Sequence, residues 1–146
     1  FMQLAIAEAR KCAPVETAYN VGAVLPYQHR SIVATGYSRE LPGNTHAEEC
    51  CLLKLSSADQ DRLAEAISAD PALPPVTMYT TMEPCARRLS GRPSCTHRLL
   101  AAPWIRRIVL GVREPPAFVE HVDGIEQLRA AGRVVDVLSG WEQACL

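Results

Sequence analysis

The chain has 146 residues, a formal net charge of −1, 48% hydrophobic residues and 5% aromatic residues. That is enough apolar material for one compact domain with its own core, and too little basic charge and too few stacking rings for a dedicated nucleic-acid groove. No apolar run approaches the roughly 20 residues that span a bilayer and no signal-peptide pattern precedes the domain, so no membrane partner is expected and the location reads as intracellular and cytoplasmic.

Taken in chain order, helix and strand patterns alternate. Residues 1–13 place Leu4, Ile6, Ala7 and Ala9 among Glu8, Arg10 and Lys11, an amphipathic helix that Pro14 ends. Because Phe1 already lies inside that helix, the single domain over 1–146 reads as trimmed from a longer chain. Residues 21–25 form a short buried strand, 28–30 a turn, and 31–36 a returning strand, an antiparallel hairpin. A loop over 37–45 carries Pro42-Gly43-Asn44, which is strong turn chemistry. Helices are expected over 46–55, 59–69, 95–102 and 124–131, and strands over 76–81, 105–111 and 134–138. Pro115-Pro116 marks a loop, and 140–146 a terminal stub. Strands separated by helices imply crossovers and a largely parallel portion. The expected fold class is therefore α/β, a mixed sheet of about five strands with helices on both faces.

Two strings about forty residues apart carry the chemistry: His46-Ala47-Glu48, and Pro84-Cys85 followed by Cys95. They supply one imidazole, two thiols and one carboxylate that is not needed as a ligand. Three protein ligands with an open position for water, plus a nearby acid/base, is the inventory of a catalytic zinc site. A structural site would close the tetrahedron with a fourth Cys or His. His46 and Glu48 are two residues apart and converge only if His46 stands at a helix start, where the backbone is not yet regular. Each piece alone also reads as ordinary: a cap, a solvated first-turn acid, two buried thiols. The joint order is what gives the assignment His46, Cys85 and Cys95 to zinc and Glu48 to proton transfer.

The remaining cysteines, Cys12, Cys50, Cys51 and Cys145, are irregularly spaced in a chain large enough to need no staples, so reduced thiols are expected rather than a disulfide framework. The nine residues between Cys85 and Cys95 must loop out for both sulfurs to reach one ion. Arg87, Arg88 and Arg92 lie in that insert and Arg98 just beyond it. They read either as a solvated surface or, since guanidinium groups suit phosphate, as a site for a phosphorylated substrate, with Arg87 and Arg92 singled out.

The two strings match the cytidine-deaminase-like superfamily, whose signature is H-x-E followed by P-C and a further C. Within it the chain most resembles the riboflavin-pathway pyrimidine deaminases. Asn20-Val21-Gly22-Ala23-Val24 looks like their N-P-x-V-G-A-V strand without the proline, and the stretches 36–50 and 81–91 are similar to the fungal branch. The similarity runs from Phe1 to about Val112. It implies a three-layer α/β/α sandwich and a phosphorylated pyrimidine as small-molecule partner. In the fungal pathway this is 2,5-diamino-6-ribitylamino-4(3H)-pyrimidinone 5′-phosphate, deaminated hydrolytically with release of ammonia. It further implies Zn2+ on His46, Cys85 and Cys95, Glu48 as the residue that moves protons, Asn20 as a substrate hydrogen-bond partner, and a homodimer or higher homo-oligomer. Two rivals stay open at this point: a deaminase of another base (cytosine, guanine or an RNA adenosine), and a non-catalytic zinc-binding interaction domain. A retained Glu48 speaks against the second.

Overall fold

The computed structural model describes residues 1–28, 31–115 and 123–146. Along the chain run α1 (Met2–Ala9), β1 (Gly22–Tyr27), β2 (Ser31–Tyr37), α2 (Ala47–Lys54), α3 (Ser57–Ala69), β3 (Val76–Met82), α4 (Cys95–Leu100), β4 (Ile105–Val112), α5 (Gly124–Ala130), β5 (Val134–Val137) and α6 (Glu142–Cys145). The strands form one five-stranded sheet in the order β2-β1-β3-β4-β5. β1 is antiparallel to both β2 and β3, whereas β3, β4 and β5 are mutually parallel. This is the mixed sheet expected from the alternating patterns, with the hairpin at one edge and the crossovers at the other.

Period-two alternation sends neighbouring side chains to opposite faces, and each face has its own core. Ala23, Leu25, Met78, Ile108 and Leu110 pack against α2, α3, α4 and α5 through Ala47, Cys51, Leu63, Ile67, Leu99, Ile125 and Leu128. Val24, Met82, Val109 and Val112 face the other way, onto Met2, Ala5 and Ile6 of α1 and Cys145 of α6. The result is three layers, α/β/α. The seat of α2 is tight: a Cβ on Gly36 would run into the Ala47 carbonyl oxygen and meet Cys50 Cβ and Cys51 N at 2.9 Å. Only a glycine in β2 lets the start of α2 lie this close to the sheet.

Where the elements differ from expectation, local chemistry explains it. α1 stops at Ala9 instead of reaching 13, because the following turn tightens through Lys11 N–H to Glu8 O and Cys12 N–H to Ala9 O, and Pro14 disfavours a helical Ala13. β1 runs on past Leu25 to include Pro26, at a register irregularity beyond the residues that pair with β3, where a missing N–H costs no ladder bond on that side. The terminal stub contains α6, held down by the buried Cys145. The expected 28–30 turn and Pro115-Pro116 loop fall partly outside the described residues.

Candidate active site

The site forms where β3 ends. Met82 leads directly into Glu83-Pro84-Cys85, while α2 and α4 bring their first residues to the same place. His46 is the N-cap of α2, with extended backbone (φ −92, ψ 161), so its ring leaves the helix axis and meets the sulfurs while Glu48, inside the first turn, points inward. Cys95 is the first residue of α4, and its backbone N–H donates to Cys85 Sγ at 3.3 Å.

His46 Nδ1 lies 3.5 Å from Cys85 Sγ and 3.5 Å from Cys95 Sγ, and the three donor atoms are all within 4.8 Å of one another. A tetrahedral zinc with bonds of about 2.3 Å to sulfur and about 2.0 Å to nitrogen puts those atoms about 3.5 Å apart, so the donor set fits the ion. Among the described residues these three are the one group of His, Cys, Asp and Glu side chains arranged to hold a metal. All six cysteines are free thiols.

Electrostatics are tuned for the same purpose. The Cys85 thiol is pulled well below its ordinary value by the Cys95 thiol and the His46 imidazole, against the opposing effect of burial. Cys95 is pushed up, first by sharing a proton with Cys85 and then by burial. The shared proton thus favours a thiolate on Cys85 over one on Cys95. For His46, burial works downward, but Cys85 raises it on balance. Glu48 is buried, 3% exposed, and its carboxyl is raised by that burial and by the Cys85 charge. Thr80, buried in β3, has its hydroxyl oxygen 2.9 Å from Glu48 Oε1 and 3.1 Å from the Met82 carbonyl oxygen.

A cleft opens onto this centre. Its lining includes Tyr19, Arg39, Asn44, His46, Glu48, Glu83, Cys85 and Glu114. Among the described residues, Arg39 is the one Lys or Arg in that lining. It sits at φ 66, in the left-handed region, and donates through Nη2 to the Ala13 carbonyl at 2.9 Å and to Asn20 Oδ1 at 2.5 Å. Asn20 itself is not in the lining; its amide oxygen is taken by Arg39. Arg92 and Arg88 turn toward the buried carboxylate of Glu49, and Arg87 and Arg92 line a second hollow with His97 and Gln127.

The chain matches the model of the cytidine and deoxycytidylate deaminase zinc-binding region over residues 1–112. The chain belongs to that deaminase family. It is 44% identical over 147 residues to the diaminohydroxyphosphoribosylamino-pyrimidine deaminase of Schizosaccharomyces pombe, covering 100% of this chain and 33% of that protein, so the chain spans about a third of the curated relative. Among solved structures it is similar to the Rib2 deaminase of Aspergillus oryzae (C-terminal deletion mutant), with a TM-score of 0.80, 34% identity, and coverage of 99% of this chain and 86% of that one. The same enzyme in complex with DARIPP matches with a TM-score of 0.70 and 34% identity over 94% of this chain and 81% of that one. The three-layer sandwich expected from the resemblance is the fold these deaminase structures share with it. Among the described residues, no helix is long and apolar enough to cross a membrane.

Four residues around this site escape a reading of the sequence. Thr80 looks like strand filler in a β-branched run. Arg39 looks like an ordinary loop charge, with nothing to mark its positive φ. Glu49 was legible in principle, since His46-x-x-Glu49 has capping-box spacing, and both halves of the box form. Glu114, before Pro115, has no local signal. Its carboxyl is half-buried and is pushed from about 4.5 up to about 7 by burial and then by the charges of Cys85, Glu83 and Glu48. A carboxyl raised on folding binds its proton more tightly in the folded state, so stability falls as pH rises from about 4.5 to about 7. Glu114→Gln is expected to flatten that slope. In thermal unfolding against pH, the variant equals wild type below about 4.5, gains through the window, and stays ahead above about 7. Parallel curves would show that Glu114 does not titrate as described.

Proposed function

We propose that the chain catalyses hydrolytic deamination of a phosphorylated diaminopyrimidine, 2,5-diamino-6-ribitylamino-4(3H)-pyrimidinone 5′-phosphate, releasing ammonia in riboflavin biosynthesis. The observation that carries this reading is a buried carboxylate, Glu48, beside three metal donors rather than four. The names of the Schizosaccharomyces pombe relative and of the Aspergillus oryzae complex support the substrate class.

His46, Cys85 and Cys95 would hold zinc, which when bound supplies a Lewis acid that makes a water nucleophilic near neutral pH. Glu48 then does the proton work. Its carboxylate takes one proton from the water and hands it to the ring nitrogen beside the amine-bearing carbon. It then takes the second proton from the newly added hydroxyl and gives it to the leaving amine, so that ammonia departs and a carbonyl remains. Burial suits it to this, since a carboxyl raised above its ordinary value is a stronger base than an exposed one and holds a captured proton long enough to pass it on.

Arg39 is our choice for the phosphate, as the one Lys or Arg among the described residues of the cleft lining, held in place by Ala13 and Asn20. Asn20, outside the lining, serves the substrate through Arg39, whose guanidinium its amide oxygen holds. Of Arg87 and Arg92, the exposed Arg87 is the better second arm, because Arg92 is engaged by Glu49 and the Gly43 carbonyl. A homodimer or larger homo-oligomer belongs to the same proposal.

Ammonia release tests the reading on a panel of the diaminopyrimidine phosphate, its dephosphorylated form, dCMP, cytidine and guanine. Turnover confined to the phosphorylated diaminopyrimidine is expected. Arg39→Ala should raise KM for it by about 10- to 100-fold, the value of a hydrogen bond to a charged group, and change KM for the dephosphorylated form little. Turnover of another base instead would keep the mechanism and discard the substrate.

A further inference from the structure

Glu49 stands next to Glu48 but is absent from the cleft lining. Its side chain is fully buried and receives three guanidinium groups: Arg88 Nη1 on Oε2, and Arg92 Nη2 and Arg98 Nη2 on Oε1, each at 2.7 Å. Oε2 also accepts the backbone N–H of His46 at 3.2 Å. Two of the arginines reach further, Arg88 Nη2 to the Asn44 carbonyl at 2.7 Å and Arg92 Nη1 to the Gly43 carbonyl, both on the turn that leads into His46.

The spacing along the chain is regular. Glu49 lies three residues after His46, Arg88 three after Cys85, Arg92 three before Cys95 and Arg98 three after it. Every metal donor is therefore one short step from a member of a single ionic cluster. A cysteine pair separated by two or three residues is held in register by its own tight turn. Here nine residues intervene, and both ends of that insert are tied to Glu49 instead. The geometry is of the strong kind: a desolvated carboxylate satisfied by charged, short hydrogen bonds, two of whose arginines use separate arms for separate partners.

We propose that Glu49, Arg88, Arg92 and Arg98 form a positioning cluster that keeps His46, Cys85 and Cys95 together and thereby sets how firmly the metal is retained. This rests on the reading that those three residues hold zinc. The cluster touches no donor atom itself; it acts through the backbone of the segments that carry them. Outer partners of metal ligands typically govern affinity by about 10- to 100-fold.

The test is the rate of zinc release from the zinc-loaded chain to a chromogenic chelator, with zinc per chain quantified first. Glu49→Gln and Arg92→Ala are each expected to release zinc at least about 10-fold faster than wild type. Arg92→Lys should recover only part of the difference, since one ammonium cannot serve both Glu49 and Gly43. Arg107→Ala breaks the Arg107–Asp136 pair between β4 and β5 and should release at the wild-type rate. Arg92, 38% exposed, is the variant that tests the idea even where the loss of buried Glu49 prevents folding, with circular dichroism to confirm the fold. One zinc per chain in every folded variant, released at one common rate, would overturn the inference alone. A wild type that binds no zinc would overturn the metal-site reading and this inference with it.

Discussion

Glu48→Gln is expected to keep one zinc per chain and to lose about 10³-fold or more in kcat, with KM little changed. The glutamine is isosteric and still hydrogen-bonds Thr80, so neither the packing nor the donor triad is disturbed. What it cannot do is carry a proton. Positioned acid–base groups contribute about 10²- to 10⁴-fold, and Glu48 serves more than one transfer, which places the loss toward the upper end. The buried location makes the result sharp, because at 3% exposure bulk water cannot easily stand in for the missing carboxylate. Zinc analysis and steady-state kinetics on the same preparation decide it. Activity within tenfold of wild type would remove Glu48 from the mechanism.

The second large effect is on the metal itself. Cys95→Ser, Cys85→Ser or His46→Ala should each abolish turnover and weaken zinc binding by more than about 100-fold, since even partners outside the first coordination sphere command about 10- to 100-fold. Stability should follow. A metal held at about 1,000 times its dissociation constant contributes about 4 kcal/mol, so stripping it corresponds to a fall of roughly 10 °C in the unfolding midpoint for a domain of this size. Differential scanning calorimetry with and without chelator measures the shift in wild type, and the ligand variants should show almost none. An unchanged midpoint in wild type would mean that His46, Cys85 and Cys95 do not hold a metal that stabilises the fold.

Much of the architecture was legible because the signals are local. Val76–Met82 and Ile105–Val112 are β-branched, apolar runs of strand length, and the residues between and after them carry helical patterns that force parallel crossovers. The hairpin was equally plain. The site was legible because His46, Glu48, Cys85 and Cys95 are chemically unusual in combination, and because a histidine two residues before a glutamate makes sense only at a helix start, which is where His46 stands. The parts that stayed hidden are those defined by the third dimension. Nothing in Thr80-Thr81 says which threonine meets a carboxylate from another element 32 residues earlier. Arg39 reaches the cleft only because the loop takes a left-handed turn there, and a sequence does not display φ. From composition the insert arginines read either as a solvated surface or as a phosphate site, and nothing in their spacing says that Arg88 and Arg92, with Arg98 beyond the insert, converge on Glu49.

The hydroxyl of Thr80 has one hydrogen and two acceptors within reach. While Glu48 is ionised, that hydrogen points at the carboxylate. With a proton on its other oxygen, the carboxyl still offers Oε1 as an acceptor, and the threonine hydrogen stays where it is. In the proposed mechanism the proton carrier therefore keeps this hydrogen bond both empty and full. A Glu48 that cycles in the proposed way needs no heavy atom to move between taking a proton and giving it up, so a carboxyl that is 3% exposed at the floor of the cleft would turn over without the domain having to open around it.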